Sequence, residues 1–324
     1  MGAFGRNHAR VYHQLAREGV PVRLVGVIDS DAARADAVAA EFGCSSFGSV
    51  SQLLSTHSEV QAASVAVPTT HHLDVARQLM EAGTDVLIEK PLAASLTEAD
   101  ELIALSERHG RIAQVGHLER FNPAVRATLP NITQPMFFEV HRLSVFTPRS
   151  LDVDVVLDLM IHDLDIVLTF AKSPIKEIRA VGLPILSDKT DIANVRIEFE
   201  SGCVANFTAS RVSTERVRKL RFFQPRQYVS LDYARQDALV FSVGKTETGA
   251  VASANPQIQV QRLPTSQEEP LYAELKAFLD AVRLRSVPGV SLADGRRALA
   301  AALDIMAGIR EHGSRVHLEH LRTH

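Results

Sequence analysis

The sequence predicts an α/β protein of two domains. The first is a doubly wound parallel sheet over residues 1–118; the second, residues 119–324, is an α+β domain with an open, largely antiparallel sheet. Three observations lead there. Residues 1–118 alternate short apolar runs with amphipathic helical stretches, the pattern of a parallel sheet covered by helices. Beyond them the rhythm changes to β-rich runs joined by turn residues. The chain has 324 residues, which at ~150 per domain is about two domains. Apolar residues make up 46% and charged residues 23%, enough to bury two cores. The net charge of -3 disfavours nucleic acid as a partner, because phosphate binding needs a positive field. No apolar run reaches the ~18 residues of a membrane span. Cys44 and Cys203 lack C-x-x-C spacing, which excludes a disulfide scaffold or zinc ribbon and fits a reducing cytoplasm.

In chain order, strand runs fall at 24–28, 60–67, 85–88 and 112–115. Helical stretches lie between them at Ala32–Phe42, 72–82 and Leu96–His109. Ser95 and Glu98 form a capping box at the start of the last of these. The domain boundary is expected within 116–123. Residues 135–145 read as a strand and 155–171 as one helix. Two runs, 194–199 and 204–209, flank Glu200-Ser201-Gly202 and read as a hairpin. The β pattern continues over 227–243, residues 242–256 read as a mobile loop, and two helices, 271–284 and 292–311, close the chain.

Four motifs carry chemistry. Met1-Gly2-Ala3-Phe4-Gly5 looks like the second half of G-x-G-x-x-G, in which glycines let a turn and the following helix N-terminus approach a pyrophosphate. The same residues also describe an ordinary turn. Asp29 follows Gly5 by 24 residues, near the ~20-residue spacing of a ribose-binding acid. A carboxylate there accepts both ribose hydroxyls and repels a 2′-phosphate, which favours NAD over NADP; the alternative is a helix cap. The first glycine and the first strand are not in the sequence, so we expect a sheet truncated by roughly ten residues, about one strand and its turn. Glu89-Lys90-Pro91 ends the third strand run, at the edge where parallel sheets bind ligands. A lysine there can stabilise a developing alkoxide, although E-K-P also occurs as a plain surface turn. Asp158 and His162 stand four apart on a helix, hence on one face, with Asp165 three further on. They read as a general base oriented by a carboxylate, or as a buried structural pair. No third ligand at metal spacing accompanies them.

Together with Pro68-Thr69-Thr70-His71-His72, these motifs occur in order over nearly the whole chain, and the sequence resembles the Gfo/Idh/MocA oxidoreductase family. The resemblance implies a Rossmann domain, a second domain whose open sheet joins subunits into a homodimer or homotetramer, and a nicotinamide cofactor. It implies oxidation or reduction of a sugar or polyol carbon; the charge balance and the short apolar runs lead us to expect no nucleic acid or membrane partner. It implies Lys90, Asp158 and His162 as the catalytic set. It places Gly2, Phe4, Gly5, Asp29, Pro68, Thr69, His72 and Glu89 along the cofactor, and His117, Arg120 and Asp165 at the substrate. A narrower resemblance rests on Gly116-His117-Leu118-Glu119-Arg120-Phe121-Asn122-Pro123, on Phe146-Thr147-Pro148-Arg149 and on the stretch from Asp152 to His162. These look like the branch that oxidises C3 of UDP-N-acetylglucosamine to a ketone, which an aminotransferase then consumes. Segment 116–123 is also readable as an interdomain hinge. A dehydrogenase of a free sugar or polyol, and a non-catalytic nucleotide-binding protein, are the competing readings.

The remaining candidates are bland. His312, His317, His320 and His324 lie in a terminal stretch without H-E-x-x-H. His13, His57 and His109 stand singly and are expected at the surface. Residues 216–221 read as a strand with one charged face, open to a diphosphate.

Overall fold

The computed structural model describes residues 1–147, 153–244 and 258–316. Pro148, Arg149, Asp152, His317, His320, His324 and nearly all of the glycine- and serine-rich loop lie outside the described residues. The chain divides into two compact units, Met1–Phe121 with Glu268–Leu299, and Asn122–Gln267 with Ala300–His324. The second unit is therefore not the continuous stretch 119–324 that the sequence suggested.

In the first unit, α1 (Ala3–Arg17) precedes β1 (Gly26–Ile28), α2 (Ala32–Phe42), β2 (Ser45–Phe47) and α3 (Val50–Thr56). Then come β3 (Ala62–Val65), α4 (His72–Glu81), β4 (Asp85–Glu89), α5 (Leu96–His109) and β5 (Ala113–Gly116). All strand pairs are parallel. They form two ladders, β1-β2 and β3-β4-β5, matching positions 2-3 and 4-5-6 of the doubly wound order 3-2-1-4-5-6. The helix α1 serves both ladders. Ala9 packs with Val27 of β1, and the Tyr12 hydroxyl lies 2.7 Å from Ser64 Oγ of β3. Strand β4 is buried along its whole length, as a central parallel strand must be. The predicted capping box is present with one change. Ser95 Oγ accepts the Glu98 amide at 3.2 Å, but the Glu98 carboxylate takes the Ala94 amide at 3.0 Å. Strand β2 and helix α3 went unread in the sequence; a three-residue strand rich in serine carries no alternation to detect.

The second unit holds α6 (Pro123–Thr128), β6 (Phe137–Val145), α7 (Ile161–Ala171), β7 (Ile175–Leu183), β8 (Ile192–Phe199) and β9 (Val204–Ser213). Strands β10 (Val217–Gln224), β11 (Gln227–Asp232), β12 (Asp237–Val243) and β13 (Ile258–Arg262) follow. They form one sheet of order β13-β12-β11-β10-β6-β9-β8-β7. Only the β6–β9 pair is parallel. The expected hairpin joins β8 and β9, with Gly202 at φ 82°, a conformation glycine adopts without strain. One face of the sheet is core, with Phe138, Phe207, Leu220, Phe222 and Val229 buried, and Phe170 of α7 meets Phe222 edge-on at 5.9 Å. On the other face Phe137, Phe223, Tyr228 and Phe241 sit opposite one another across four strands.

Two expectations for this unit change. Residues 155–171 are not one α-helix: Val156–Met160 is π-helical and leads into α7. In β10, Arg218 shares the face of buried Leu220 while Lys219 and Arg221 point oppositely, so charge is not confined to one face.

The last helices, α8 (Pro270–Leu284) and α9 (Leu292–Arg315), explain the interleaving. Leu275 and Phe278 of α8 are buried with Val11, Leu15 and Leu87 in the first unit. Farther along α9, Ile309 packs so close to β7 that a Cβ at Gly182 would stand 2.9 Å from it. Among the described residues no helix is long and apolar enough to cross a membrane.

Candidate active site

The expected cofactor cradle begins at α1. Gly2 is its N-cap in extended backbone; no side chain caps the helix, and no acidic residue stands in its first turn. Open amides at a helix start attract an anion. A Cβ at Gly2 would meet nothing within 4 Å, whereas one at Gly5 would touch Met1 Sδ at 3.3 Å and Ala66 Cβ at 3.9 Å. Gly5 is thus the tight position and Gly2 the open one, while Phe4 projects outward. Asp29, just past β1, accepts the Asp31 amide at 2.8 Å, faces Arg34 Nη2 at 3.4 Å and pairs with the Met1 ammonium. Arg34 is also committed to Asp31, Nε to Oδ2 at 3.0 Å. An uncapped glycine turn and a strand-end carboxylate fit the pyrophosphate and ribose of a dinucleotide.

The carboxyl end of β4 presents Glu89 and Lys90. Glu89 is buried, and both of its oxygens are engaged. Nε2 of His8 lies 3.0 Å from Oε1, and the Lys90 amide donates to Oε2 at 3.3 Å. Gly116 lies opposite Glu89 on β5, and a Cβ there would come within 2.9 Å of Oε1. The Lys90 side chain is half-buried, and the Lys90–Pro91 peptide is cis. Pro68 and Thr69 open a 3₁₀ turn after β3, Pro68 exposed and Thr69 half-buried. His72 is buried, and both of its ring nitrogens face backbone carbonyls. Its Nδ1 faces the carbonyls of Pro91 and Leu92 at 3.1 and 3.3 Å, and Nε2 faces that of Val67 at 3.0 Å. Burial depresses its pKa, against the raising pull of these carbonyls and of Glu89. It ties the segment after Lys90 to the end of β3.

The sequence reading missed His8. It lies 2% exposed in the buried stripe Gly5, His8, Ala9, Val11 and Leu15 of α1. A lone histidine on that apolar stripe was the available signal.

After β5 the chain turns at once. The His117 amide donates to Val115 O at 2.8 Å and the Arg120 amide to His117 O at 3.0 Å. His117 is buried. Arg120 Nη2 faces Asp294 Oδ1 at 3.6 Å. Burial raises the Asp294 pKa, but Arg120, Ser291 and Arg297 together hold it below the usual carboxylate value. Arg120 therefore has an acidic neighbour within its own unit.

The second unit carries Asp158, His162 and Asp165. Asp158 lies within the π-helical turn and His162 in the first turn of α7. The Ile161 amide reaches back five residues to Val156 O. This wide turn places them on consecutive turns, not in the α-helical register that their spacing suggested. Asp158 is half-buried, His162 is 9% exposed and Asp165 is buried. The turn is anchored at its entry: the Thr190 amide donates to Asp154 Oδ1 at 3.0 Å, the Val155 amide to Thr190 O at 3.0 Å, and Arg211 to the Val153 carbonyl. Beside His162, Asp163 accepts Arg142 through both oxygens, at 2.6 and 3.0 Å, and the guanidinium lies 5.1 Å from the Tyr233 ring centroid. This paired frame was also missed. Its signal was a further carboxylate beside His162 and Asp165 in a helix whose remaining residues are mostly apolar.

Lys90 and Glu89 thus belong to one unit, and Asp158, His162 and Asp165 to the other. Among the described residues, no three His, Cys, Asp or Glu side chains are placed to hold a metal ion.

Residues 1–117 match the model of the oxidoreductase family with NAD-binding Rossmann fold. Residues 131–226 match the Gfo/Idh/MocA C-terminal domain. The UDP-N-acetylglucosamine 3-dehydrogenase of Acidithiobacillus ferrooxidans is 36% identical over 310 residues, 95% of each chain. A solved structure of that protein aligns with a TM-score of 0.86 at 35% identity, again over 95% of each chain. The scyllo-inositol 2-dehydrogenase (NAD(+)) of Bacillus subtilis is 27% identical over 228 residues, 66% of each chain. Matched by both family models and by a relative 36% identical along 95% of its length, the chain belongs to the Gfo/Idh/MocA oxidoreductase family.

Proposed function

We propose that this oxidoreductase acts on a sugar, oxidising C3 of UDP-N-acetylglucosamine to a ketone with NAD. The observation that carries the reading is the similarity to a UDP-N-acetylglucosamine 3-dehydrogenase along 95% of both chains. When bound, the nicotinamide supplies the redox chemistry, taking up the hydride that leaves the hydroxyl carbon. His162 takes the hydroxyl proton as general base. Asp158 orients its ring and supports its charged form. The Lys90 ammonium donates a hydrogen bond to the substrate oxygen and stabilises negative charge as it develops. The α1 start with Gly2, Phe4 and Gly5 receives the pyrophosphate, Asp29 accepts the ribose hydroxyls and thereby selects NAD, and Pro68, Thr69 and Glu89 line the cofactor. His117, Arg120 and Asp165 hold the substrate. The open sheet face joins copies of the chain into a dimer or tetramer in the cytoplasm, and an aminotransferase consumes the ketone.

A second reading, oxidation of a free polyol, is favoured by the partial similarity to scyllo-inositol 2-dehydrogenase. NADH formation, followed by absorbance, separates them. We expect turnover with UDP-N-acetylglucosamine and none with N-acetylglucosamine or inositol; the reverse pattern overturns the substrate. Lys90→Ala and His162→Ala are each expected to lower kcat by ~10²–10⁴-fold with an unchanged circular dichroism spectrum. Near-wild-type turnover in either removes that residue from the mechanism.

A further inference from the structure

We propose that His8 is a positioning residue: it holds the Glu89 carboxylate so that the carboxylate fixes the backbone at Lys90. The inference rests on the reading of Lys90 as a residue that touches the substrate.

Three contacts converge on Glu89 within the first unit. His8 Nε2–H donates to Oε1 at 3.0 Å, with both side chains buried. The Lys90 amide donates to Oε2 at 3.3 Å. Gly116 leaves just enough room beneath, because a Cβ there would stand 2.9 Å from Oε1 and 3.0 Å from Cδ. Beyond Lys90, His72 grips the next two carbonyls. Lys90 is thus held from both sides, by Glu89 before it and by the Pro91–Leu92 carbonyls after it. A glutamate side chain has three torsions, and the amide contact at 3.3 Å is too long to select one rotamer against the others. His8 is the group that selects it. A buried His–Glu pair adds little stability that a well-packed apolar pair could not supply, so its use is better sought in orientation. Reacting groups displaced by ~1 Å lose on the order of 10²-fold in rate, which sets the expected effect.

The test uses the intact chain with NAD and UDP-N-acetylglucosamine. His8→Leu should lower kcat by ~10–100-fold, and the KM for NAD, whose site Glu89 also lines, should change by a smaller factor than kcat. His8→Gln, whose amide can still reach Oε1, should recover most of the loss. In a Lys90→Ala background His8→Leu should cost no more than about twofold, since the effect runs through Lys90. Equal losses in both backgrounds, a His8→Gln variant no better than His8→Leu, or a raised KM for NAD at unchanged kcat each overturn the proposal. If Lys90→Ala alone turns over like the wild type, the underlying reading fails and this one with it. If Lys90→Ala is inactive but His8→Leu is not impaired, only the positioning role falls. Should His8→Leu not fold, His8→Asn, too short to reach Oε1, takes its place with the same expected losses.

Discussion

His72 shows how one side chain can tie two backbone segments together. Three carbonyls surround its two ring nitrogens, and a neutral imidazole donates from only one nitrogen. Burial nonetheless pushes its pKa below the ordinary value of 6.5. The consequence for stability follows from linkage. A group with a depressed folded pKa contributes its full stabilisation above the unfolded value, and loses it as pH falls from there toward the folded one. Urea midpoints measured between pH 7.5 and 5 should therefore fall faster for the wild type than for His72→Gln. The same variant should be less stable by ~1–3 kcal/mol at pH 7.5, having lost buried hydrogen bonds. Parallel pH curves would show that His72 does not carry the dependence. Asp29 accepts the Asp31 amide at 2.8 Å, but the N-cap of α2 is Asp31, whose own carboxylate accepts the Arg34 amide, so the helix-cap alternative for Asp29 is not realised.

At the scale of elements, the β4–β5 pair sets the geometry at Lys90. Parallel pairing puts Gly116 directly beside Glu89, where a methyl group would come within 2.9 Å of the carboxylate. Gly116→Ala should force Glu89 off its rotamer, with ~1–3 kcal/mol lost to overpacking. It should also cut kcat more than KM, because the Lys90 amide bond goes with it. A Gly116→Ala enzyme with wild-type kcat would mean that Glu89 can move without consequence. The π-helical turn at Val156–Met160 is the corresponding device in the second unit. Its five-residue span re-aims the residues on either side of it. The Thr190, Asp154 and Arg211 contacts at its entry hold a turn that propensity alone would not choose.

Across the whole molecule, the two units interleave in sequence. Helix α8 returns to the first unit, where Phe278 and Leu275 are fully buried with Leu15 and Leu87. Phe278→Ala should cost ~3–5 kcal/mol, a large share of the ~5–15 kcal/mol that stabilises a domain. Hydrogen exchange read by peptide should rise in α1 and β4, far away in sequence, and stay near wild type in β8 and β9. Loosening confined to the second unit would contradict this assignment of α8.

What the sequence by itself determined is what depends on local chemistry and short periods. The fold class follows from the alternation of apolar runs. Ala32–Phe42 and Leu96–His109 were read to the residue because each is amphipathic and capped by an N-terminal oxygen and a C-terminal glycine. The glycine start, Asp29, Glu89-Lys90-Pro91 and the Asp158–His162 stretch were visible because each is contiguous or nearly so. Tertiary structure alone decided the partners. His8 meets Glu89 across 81 positions and Arg142 meets Asp163 across 21; no sequence period reports such pairs. It also decided that Asp158 sits within a π-helical turn that leads into the helix of His162, and that residues 268–299 complete the first unit. An apolar helix face specifies that it must be buried, but not against what: that choice is made only when the surfaces that fit it come together.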